Sequence, residues 1–496
     1  MHVFDASVAA DDRRAELASA GRYDVLVVEA PGREWPSWLA ELIFHLRPGG
    51  SLVFRGERGR RSEPLEKRLK ALDEIRDGRR DPRVTGRRGD DIRALARAIS
   101  SWTAQGPHVV VVNGVTAFAK VRERQVDELF RSPGYPHGSV IASVPAAHFV
   151  ARCTVVQNES AVRKAEVREI SAPEMVLRGY DDVVCLPRQV VVQGNLLLPD
   201  TFRRPHSRRM RSAALNELSP GFAELRGDAH GAEYLAGTYV HLDSEFPGHY
   251  GHLVTEQLSR MWAWPEIRNE VQRPRVLLST RDSRTALHAH ERELLGAFGV
   301  PEEDVLLFHR PLRVERLLSA SPMMAQPGWI HPEIAGAWRS AGAALAAIAG
   351  DASYPRRIFC GRRTGKRACR NADEVEALFV DEGFTVVYPE NYSLPEQAAL
   401  FRGAEVVAGF AGAAMFNLCY TATPKDVVLL VSESYTAENE YLMAAVQGHR
   451  LTLMWCPSDV PLPAKGFSAE AYQASFSADL AKDGAWLRSR LRAIGR

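Results

Sequence analysis

Strand-length apolar runs alternate with segments of helical periodicity along the stretch 356–417. The runs lie within residues 356–363, 383–390 and 405–417, and their alternation predicts a parallel sheet covered by helices. The last run ends in a turn of small residues that opens a helix. Such a turn presents backbone N–H groups at the positive end of a helix, so we expect it to hold a diphosphate.

The same alternation precedes this stretch. After several short strands and turns, a helical pattern begins at Tyr250, and strands are predicted at 275–279, 305–308 and 313–318 around a helix at 286–298. This order of elements predicts one Rossmann-like half. The stretch described first forms the centre of a second half.

Residues 1–123 predict a further α/β unit. Its predicted elements are, in chain order, a strand at 23–30, a helix at 35–46, a turn at 47–50, a strand at 51–54 and a late pair of strands at 108–112 and 116–121. This order resembles the second half of a class I S-adenosylmethionine-dependent methyltransferase domain. The first half of that family has no counterpart here, because no G-x-G-x-G loop follows the first strand. We therefore expect a truncated domain that binds no cofactor.

These patterns predict an α/β protein with several domains, as expected for 496 residues. The predicted division is a truncated methyltransferase-like domain at 1–123, a linker at 124–165, a β-rich lead-in and first Rossmann-like half at 166–350, a second half at 351–460 and a C-terminal helix, or two short ones, at 461–496.

Composition and charge narrow the class of partner. The net charge is +2, so bulk electrostatics indicates neither nucleic acid nor a membrane surface. The six cysteines contain no C-x-x-C pair, which favours a reducing cytoplasm over a disulfide framework or a zinc site. No signal-peptide pattern or membrane-spanning apolar run is present. We expect a cytoplasmic protein, and peripheral association with a membrane stays open.

Candidate acid–base chemistry lies at the start of the helix from Tyr250. His252 and Glu256 are four residues apart and therefore share one helix face, and His249 lies a turn earlier. A carboxylate paired with a histidine suits a general base that deprotonates a hydroxyl group. The spacing is not that of a zincin, so no metal site is predicted. The alternative is a buried polar network that fixes the helix to its neighbours.

Candidate anion-binding residues lie in the stretch 356–417. Arg362 and Arg363 follow a strand at the end where open α/β sheets bind ligands, and Arg370 lies near the start of the next helix. Guanidinium groups bind diphosphate without a metal ion. The alternative for some of these arginines is a surface charge.

The small-residue turn adds further candidates for binding a donor molecule. They are Gly409, Gly412, Ala413 and Asn417 in the turn, and Glu396 and Gln397 in the preceding helix. Small residues allow a phosphate to approach the backbone closely. The alternatives are tight packing of the strand on the helix and, because Ser393 and Glu396 form an S-x-x-E pattern, a capping box.

Residues from about 240 to 456 resemble glycosyltransferase family 61, in its bacterial capsular-polysaccharide branch. The most specific likeness is the family pattern G-F-x-x-V-x-P-E-x-x-S-x-x-E-Q, which matches residues 383–397. The family's N-Y-x-H helix start corresponds to residues 249–252, and its H-G-A-x-L-x-N pattern corresponds to 411–417. Its basic strand and R-x-x-N-E motif correspond to Arg362-Arg363 and Arg370-Asn371, without the usual spacing.

Two positions depart from the family pattern. Ala411 stands where the family has a histidine, and His249 stands where it has an asparagine. The acidic position is kept as Glu256. If the family's histidine helps to bind or release the diphosphate, this chain must do so with other groups.

The resemblance implies a GT-B fold, with the acceptor mainly on the first half and the nucleotide on the second. It implies an inverting, metal-independent transferase that uses a UDP-sugar as substrate, needs no cofactor and serves capsular or cell-surface polysaccharide synthesis. The partners are then a nucleotide sugar and a glycan or lipid-linked glycan acceptor. Glu256, with His252, is the candidate base.

Two alternatives stay open from the sequence. One is a catalytically weak or inactive pseudo-glycosyltransferase that binds glycan or nucleotide or acts as a scaffold, which Ala411 and the truncated N-terminal unit favour. The other is a methyltransferase that acts on the same glycan, against which the missing glycine loop argues.

Overall fold

Four strands of the N-terminal part form a small sheet. The computed structural model describes residues 9–29, 34–56, 63–132, 135–227, 229, 231–350, 353–363 and 365–494. The strands of the first sheet are β1 (Tyr23–Glu29), β2 (Leu46–Arg55), β3 (Ile99–Gln105) and β4 (His108–Asn113). Their order is β1-β2-β4-β3, with β1 parallel to β2 and the other pairs antiparallel. The helices of this part are α1 (Ala10–Ser19), α2 (Trp35–Leu42), α3 (Glu63–Arg76) and α4 (Gly86–Ala98).

The predicted pairing of residues 108–112 with 116–121 is wrong. The antiparallel partner of β4 is β3, which precedes it across a tight turn at Gly106, where φ is +59°. Residues Phe118–Lys120 form β5, which joins the next sheet instead. The polar sequence of β3 has exposed positions along most of its length, so it carries little apolar signal. Of the predicted strand at 23–30, residue 30 lies outside the described residues.

The second sheet is mixed and has eleven strands. Besides β5 they are β6 (Gly138–Val144), β10 (Met175–Leu186), β11 (Val190–Gln193), β12 (Leu196–Leu197), β13 (Leu215–Ser219), β14 (Phe222–Leu225), β15 (Glu233–His241), β16 (Arg275–Ser279), β17 (Val305–Phe308) and β18 (Leu312–Ala320). The strands β18, β15, β16 and β17 are parallel neighbours. The others pair mainly antiparallel through the long strand β10.

Helices accompany the parallel part of the second sheet. A continuous helical stretch, called here the 250–270 helix, consists of α6 (Tyr250–His252), a π-helical turn (Leu253–Gln257), a 3₁₀ segment (Leu258–Ala263) and α7 (Trp264–Glu270). Two more helices follow, α8 (Ala289–Ala297) and α9 (Ile334–Ala349). In the described ranges, no helix is long and apolar enough to cross a membrane.

The third sheet has six strands, and all its neighbouring strands are parallel. Its strands are β8 (Thr154–Gln157), β21 (Arg357–Cys360), β22 (Thr385–Val387), β23 (Val406–Phe410), β24 (Asp426–Ser432) and β25 (Arg450–Cys456). Their order is β22-β21-β23-β24-β25-β8. The parallel sheet predicted for the stretch 356–417 is confirmed.

The remaining elements complete the chain. The helices are α5 (Glu123–Arg131), α10 (Ala372–Asp381), α11 (Leu394–Gly403), α12 (Asn439–Gln447), α13 (Ala469–Gln473) and α14 (Leu480–Ala493). Short 3₁₀ segments are Ile43–His45, Pro199–Thr201, Glu302–Asp304, Pro389–Asn391 and Ala413–Tyr420. Two small sheets pair β7 (Ala147–Val150) with β9 (Glu169–Ala172) and β19 (Met324–Ala325) with β20 (Trp329–Ile330).

The mixed α/β class is thus confirmed, and the division into domains stays a prediction. Residues 124–165, predicted as a linker, contain strands of both large sheets, since β6 pairs with β10 and β8 pairs with β25. The segment 461–496 contains two helices, one of the two predicted forms.

Two apolar clusters tie the three sheets together. One joins the N-terminal unit to the second sheet through residues such as Leu52 and Leu317. The other joins the second and third sheets and includes Trp338 of α9 and Tyr420. At Gly342 of α9 an added Cβ would lie 2.4 Å from the carbonyl oxygen of Tyr420. This close approach packs the segment that follows β23 against α9.

Candidate active site

The 250–270 helix begins at a turn that presents two histidines. Gly248 has a φ of +76°, and His249 caps the helix because its Nδ1 accepts a hydrogen bond of 3.1 Å from the backbone N–H of Gly251. The helix then widens into the π-helical turn Leu253–Gln257, which contains Glu256. Single π turns inside helices are frequent at functional sites.

His252 and Glu256 form a hydrogen-bonded pair on the helix face, as their spacing predicts. Nδ1 of His252 donates to Oε1 of Glu256 at 2.7 Å, and Nε of Arg203 donates to the same oxygen. Oε2 of Glu256 accepts from Ser244 at 3.2 Å. The ring of Phe246 stacks on His252 at 4.3 Å. The histidine ring is therefore held in one orientation, with 18% of its side chain still exposed.

The charges around Glu256 decide its chemistry. Burial raises the pKa of this carboxyl, but the charge of Arg203 and the hydrogen bond from His252 outweigh burial and bring the pKa to about 2. Glu256 is therefore an anion at neutral pH and a weak base. Because it fixes the Nδ1–H of His252, the unprotonated Nε2 is the atom that can accept a proton. No residue in the described part of the chain hydrogen-bonds this Nε2.

His249 supports the site from its edge. Its ring meets that of His252 edge-on at 4.9 Å. Burial and the neighbouring His252 lower its pKa, so it is neutral. With Nδ1 engaged in the helix cap, its role is that of an orienting neighbour.

The turn after β23 is tightly built around Gly412. Its φ is +146°, and an added Cβ would lie 2.6 Å from Nη2 of Arg362 and 3.5 Å from Nη2 of Arg367. The N–H of Gly412 donates to Oε1 of Glu440 at 2.6 Å. Two guanidinium groups thus converge on one side of the turn, while a buried carboxyl group holds its backbone.

The predicted small residues of this turn differ in role. An added Cβ at Gly409 would lie 2.8 Å from Cβ of Cys360, so this glycine serves packing between strands. Ala413 begins the 3₁₀ segment that follows the turn. The helix after the turn is therefore a 3₁₀ segment, and one of its leading N–H groups, that of Gly412, is already bound by Glu440.

The three predicted arginines are placed differently. Arg362 donates to the carbonyl oxygens of Arg367 at 2.9 Å and of Ala411 at 2.8 Å. Burial and the nearby Arg367 lower its pKa to about 10, which leaves it charged at neutral pH. Arg363 lies over the ring of Tyr388 at 4.2 Å.

Arg370 is the predicted arginine with an acidic partner. Its Nε and Nη2 donate to Oδ2 of Asp459 at 2.8 and 2.6 Å. Its side chain is 65% exposed. The structure therefore brings Arg362 to the turn, while the described contacts of Arg363 and Arg370 are made elsewhere.

Gln397 and Asn417 connect the two halves of the site. Nδ2 of Asn417 donates to Oε1 of Gln397 at 2.9 Å, and Oδ1 accepts from the hydroxyl of Tyr250 at 2.6 Å. This network fixes the start of the 250–270 helix to the segment after β23. Glu396 accepts from the backbone N–H of Ser393 at 2.7 Å, so the S-x-x-E pattern is a capping box.

Several residues of the site were not predicted from the sequence. The guanidinium of Arg367 lies over the rings of Tyr435 and Tyr472 at 5.1 and 5.0 Å. Burial raises the pKa of Tyr472, and the nearby charges of Arg367, Arg203 and Arg204 oppose this rise. Arg203 and Arg204 come from the loop after β12, so Tyr472 is a common neighbour of the arginine at Glu256 and the arginine at the Gly412 turn.

The comparison with known families covers this region. Residues 250–429 match the family model described as Glycosyltransferase 61, which confirms the resemblance seen in the sequence. No curated protein matches the chain. His252, Glu256, Arg362, Arg367 and Gly412 lie inside the matched segment. Arg203, Tyr435, Glu440 and Tyr472 lie outside it and complete the same site.

Proposed function

We propose, from the match of residues 250–429 to glycosyltransferase 61, that this protein is an inverting glycosyltransferase that takes its sugar from a nucleotide sugar. The match supports a glycosyltransferase. The observation that carries the finer proposal is the pairing of a fixed, proton-accepting histidine with a turn at which two arginines converge. A UDP-sugar is the proposed donor, and a glycan or lipid-linked glycan the acceptor.

His252 is the general base in this proposal. The acceptor hydroxyl gives its proton to Nε2 of His252 while its oxygen attacks the anomeric carbon of the donor. Glu256 stabilises the imidazolium ion that forms, because its carboxylate is hydrogen-bonded to Nδ1. One base and one direct displacement give inversion at the anomeric carbon.

The arginines stabilise the negative charge of the leaving diphosphate in this proposal. As the bond from the anomeric carbon to the diphosphate oxygen breaks, negative charge grows on that oxygen, and fixed cations stabilise it. Arg362 and Arg367 lie at the Gly412 turn. We propose that these groups act without a metal ion and replace the family's histidine, which is Ala411 here.

The architecture and setting belong to the same proposal. The third sheet, with its parallel strands, is proposed as the nucleotide half of a GT-B pair, and the parallel part of the second sheet as the acceptor half. Capsular or cell-surface polysaccharide synthesis on the cytoplasmic side is the proposed setting.

Isothermal titration with UDP and with other nucleoside diphosphates tests the donor site. Wild-type protein is expected to bind at least one of them, and Arg367→Met to weaken that binding about 10- to 100-fold, because charge-assisted hydrogen bonds are worth about 1.5–3 kcal/mol. Arg370→Met is the matched control, since Arg370 pairs with Asp459, and is expected to stay within about twofold. Folded wild-type protein that binds no nucleotide would count against the proposed function.

A further inference from the structure

A cavity of about 300 Å³ lies directly behind the Gly412 turn. Its floor is one apolar face of the third sheet, formed by Leu429, Val431, Leu451 and Leu453, and Ala411 lies at its edge. The segment 163–168, between β8 and β9, covers it. The volume is at the lower end of the range of small-molecule sites, so the cavity suits one ring rather than a whole nucleotide.

Aromatic side chains form the walls of this cavity. They belong to Tyr435, Tyr441 and Trp455. The indole of Trp455 is held by a hydrogen bond of 2.8 Å to Gln157. The hydroxyl of Tyr441 donates to the carbonyl oxygen of Glu166 at 2.9 Å and accepts from the N–H of Arg168 at 3.1 Å. Arg163 lies over the ring of Trp455 at 5.2 Å and Arg168 over that of Tyr441 at 5.0 Å, so each of these rings is held in place and has one face covered, which leaves its other face for a ligand.

The charges at the rim are already paired. Arg163 and Arg168 both bridge to Glu438, at 3.5 and 3.0 Å, and Lys164 bridges to Glu166 at 2.7 Å. A phosphate or a carboxylate would have to compete with these acids. The cavity accordingly favours an uncharged ring.

Glu440 connects the cavity to the Gly412 turn. One of its oxygens accepts from Gly412 at 2.6 Å, and the other accepts from the hydroxyl of Tyr435 at 3.2 Å. Each carboxylate oxygen has a further lone pair, so one polar wall can accept an N–H donor. A sugar ring, with hydroxyls around its whole edge, would leave most of them without a partner among the apolar walls.

We propose that this cavity receives the nucleobase of the donor nucleotide, with its faces against the aromatic and apolar walls and an N–H edge towards Glu440. Flat bases stack on aromatic rings, and the position beside the turn leaves the diphosphate on the side of Arg362 and Arg367. This inference rests on the proposed function, and it assigns to Ala411 the role of keeping the space open.

Filling the cavity tests the inference. Ala411→Phe is expected to lower the affinity for UDP about tenfold or more. The affinity for inorganic pyrophosphate, which has no nucleobase, is expected to stay within about twofold of wild type. Ala411→Val is the milder variant and is expected to change affinities in the same direction by less. Ala40→Phe is the control at a distant site, because Ala40 lines a different cavity of about 260 Å³ near α2, and this variant should bind UDP and pyrophosphate as wild type does.

The possible outcomes distinguish a nucleobase site from a sugar site. They also distinguish failure of this inference from failure of the proposed function. UDP affinity unchanged in folded Ala411→Phe and Ala411→Val would overturn the inference and leave the donor site intact. Loss of UDP-sugar binding with UDP unchanged would assign the cavity to the sugar and also overturn it. Wild-type protein that binds neither UDP nor another nucleoside diphosphate would overturn the proposed function, and this inference with it.

Discussion

Two clusters at the 250–270 helix contain the same three kinds of side chain. One is His252 with Glu256 and Arg203, at the N-terminal end of the helix. The other is His241 with Asp200 and Arg260, between the helix and the second sheet, where Arg260 lies 3.4 Å from Nδ1 of His241 and 3.7 Å from Oδ1 of Asp200. The difference between them is exposure, since the side chain of His252 is 18% exposed and His241 is 2% exposed.

Access changes what the same chemistry can do. In the first cluster Nε2 of the histidine faces no partner in the described part of the chain, so a substrate proton can reach it. In the second cluster His241 is 2% exposed, and Asp200 accepts from Tyr180 at 2.6 Å and from Ser319. The first cluster is the one we propose for proton transfer, and the contacts of the second hold the 250–270 helix on the second sheet.

Replacing the arginine of each cluster should give the largest difference in stability between the two clusters. Arg260→Met removes from buried Asp200 the cation with the largest effect on its pKa and should lower the free energy of unfolding by about 3–5 kcal/mol. Arg203→Met, the matched variant, should cost less, about 1.5–3 kcal/mol for one hydrogen bond to a charged group, because its side chain is 22% exposed and Glu256 keeps two other donors. Urea denaturation measures both, and equal losses would contradict the division.

As the pH falls, the buried His241 cluster should lose its contribution to folding stability before the Glu256 cluster does. Burial and Arg260 lower the pKa of His241 to about 3, so the folded protein excludes a proton that the unfolded chain takes up below its ordinary value of 6.5. Stability is therefore lost as the pH falls from about 6.5 towards 3, at up to about 1.4 kcal/mol per pH unit from this group. His241→Gln should flatten the slope of stability against pH by that amount.

Glu256→Gln provides the control for this slope. The pKa of Glu256 is lowered to about 2, so its stabilising charge is fully present above its unfolded value and is lost only as the pH falls through the folded one. Between pH 6.5 and 5 the slope of Glu256→Gln should equal that of wild type. A flattened slope of stability against pH in Glu256→Gln, or an unchanged slope in His241→Gln, would contradict the attribution of this slope to His241.

Local spacing made part of the site predictable. The contact between His252 and Glu256 follows from their four-residue separation on one helix, and the capping box of Ser393 and Glu396 follows from three. Arg203 lies 53 residues from Glu256 in the chain, and its pairing depends on how the second sheet folds. Periodicity and spacing carry no information at that range.

In the fold, too, local sequence patterns predicted only part of the structure. The three strands of the stretch 356–417 are apolar and buried, so the parallel sheet was predictable from residues such as Val407 and Ile358. The membership of β5 and β8 in distant sheets was not, because short strands of three and four residues take their partners from tertiary packing. The network of Asn417 with Tyr250 and Gln397 likewise joins residues far apart in the chain and was not predictable, while the prediction that Asn417 binds a ligand stays a prediction.

The rate of sugar transfer in His252→Gln is the most direct test of the proposed chemistry. With a panel of UDP-sugars and glycan acceptors, wild type is expected to turn over, and His252→Gln is expected to lose about 10²- to 10⁴-fold in rate while its nucleotide affinity stays within about twofold of wild type. His249→Asn is the matched control, since asparagine also caps helices, and should lose less than about tenfold. Wild-type transfer rates in His252→Gln would contradict the account, and nucleotide binding without transfer by wild type would favour the catalytically inactive alternative.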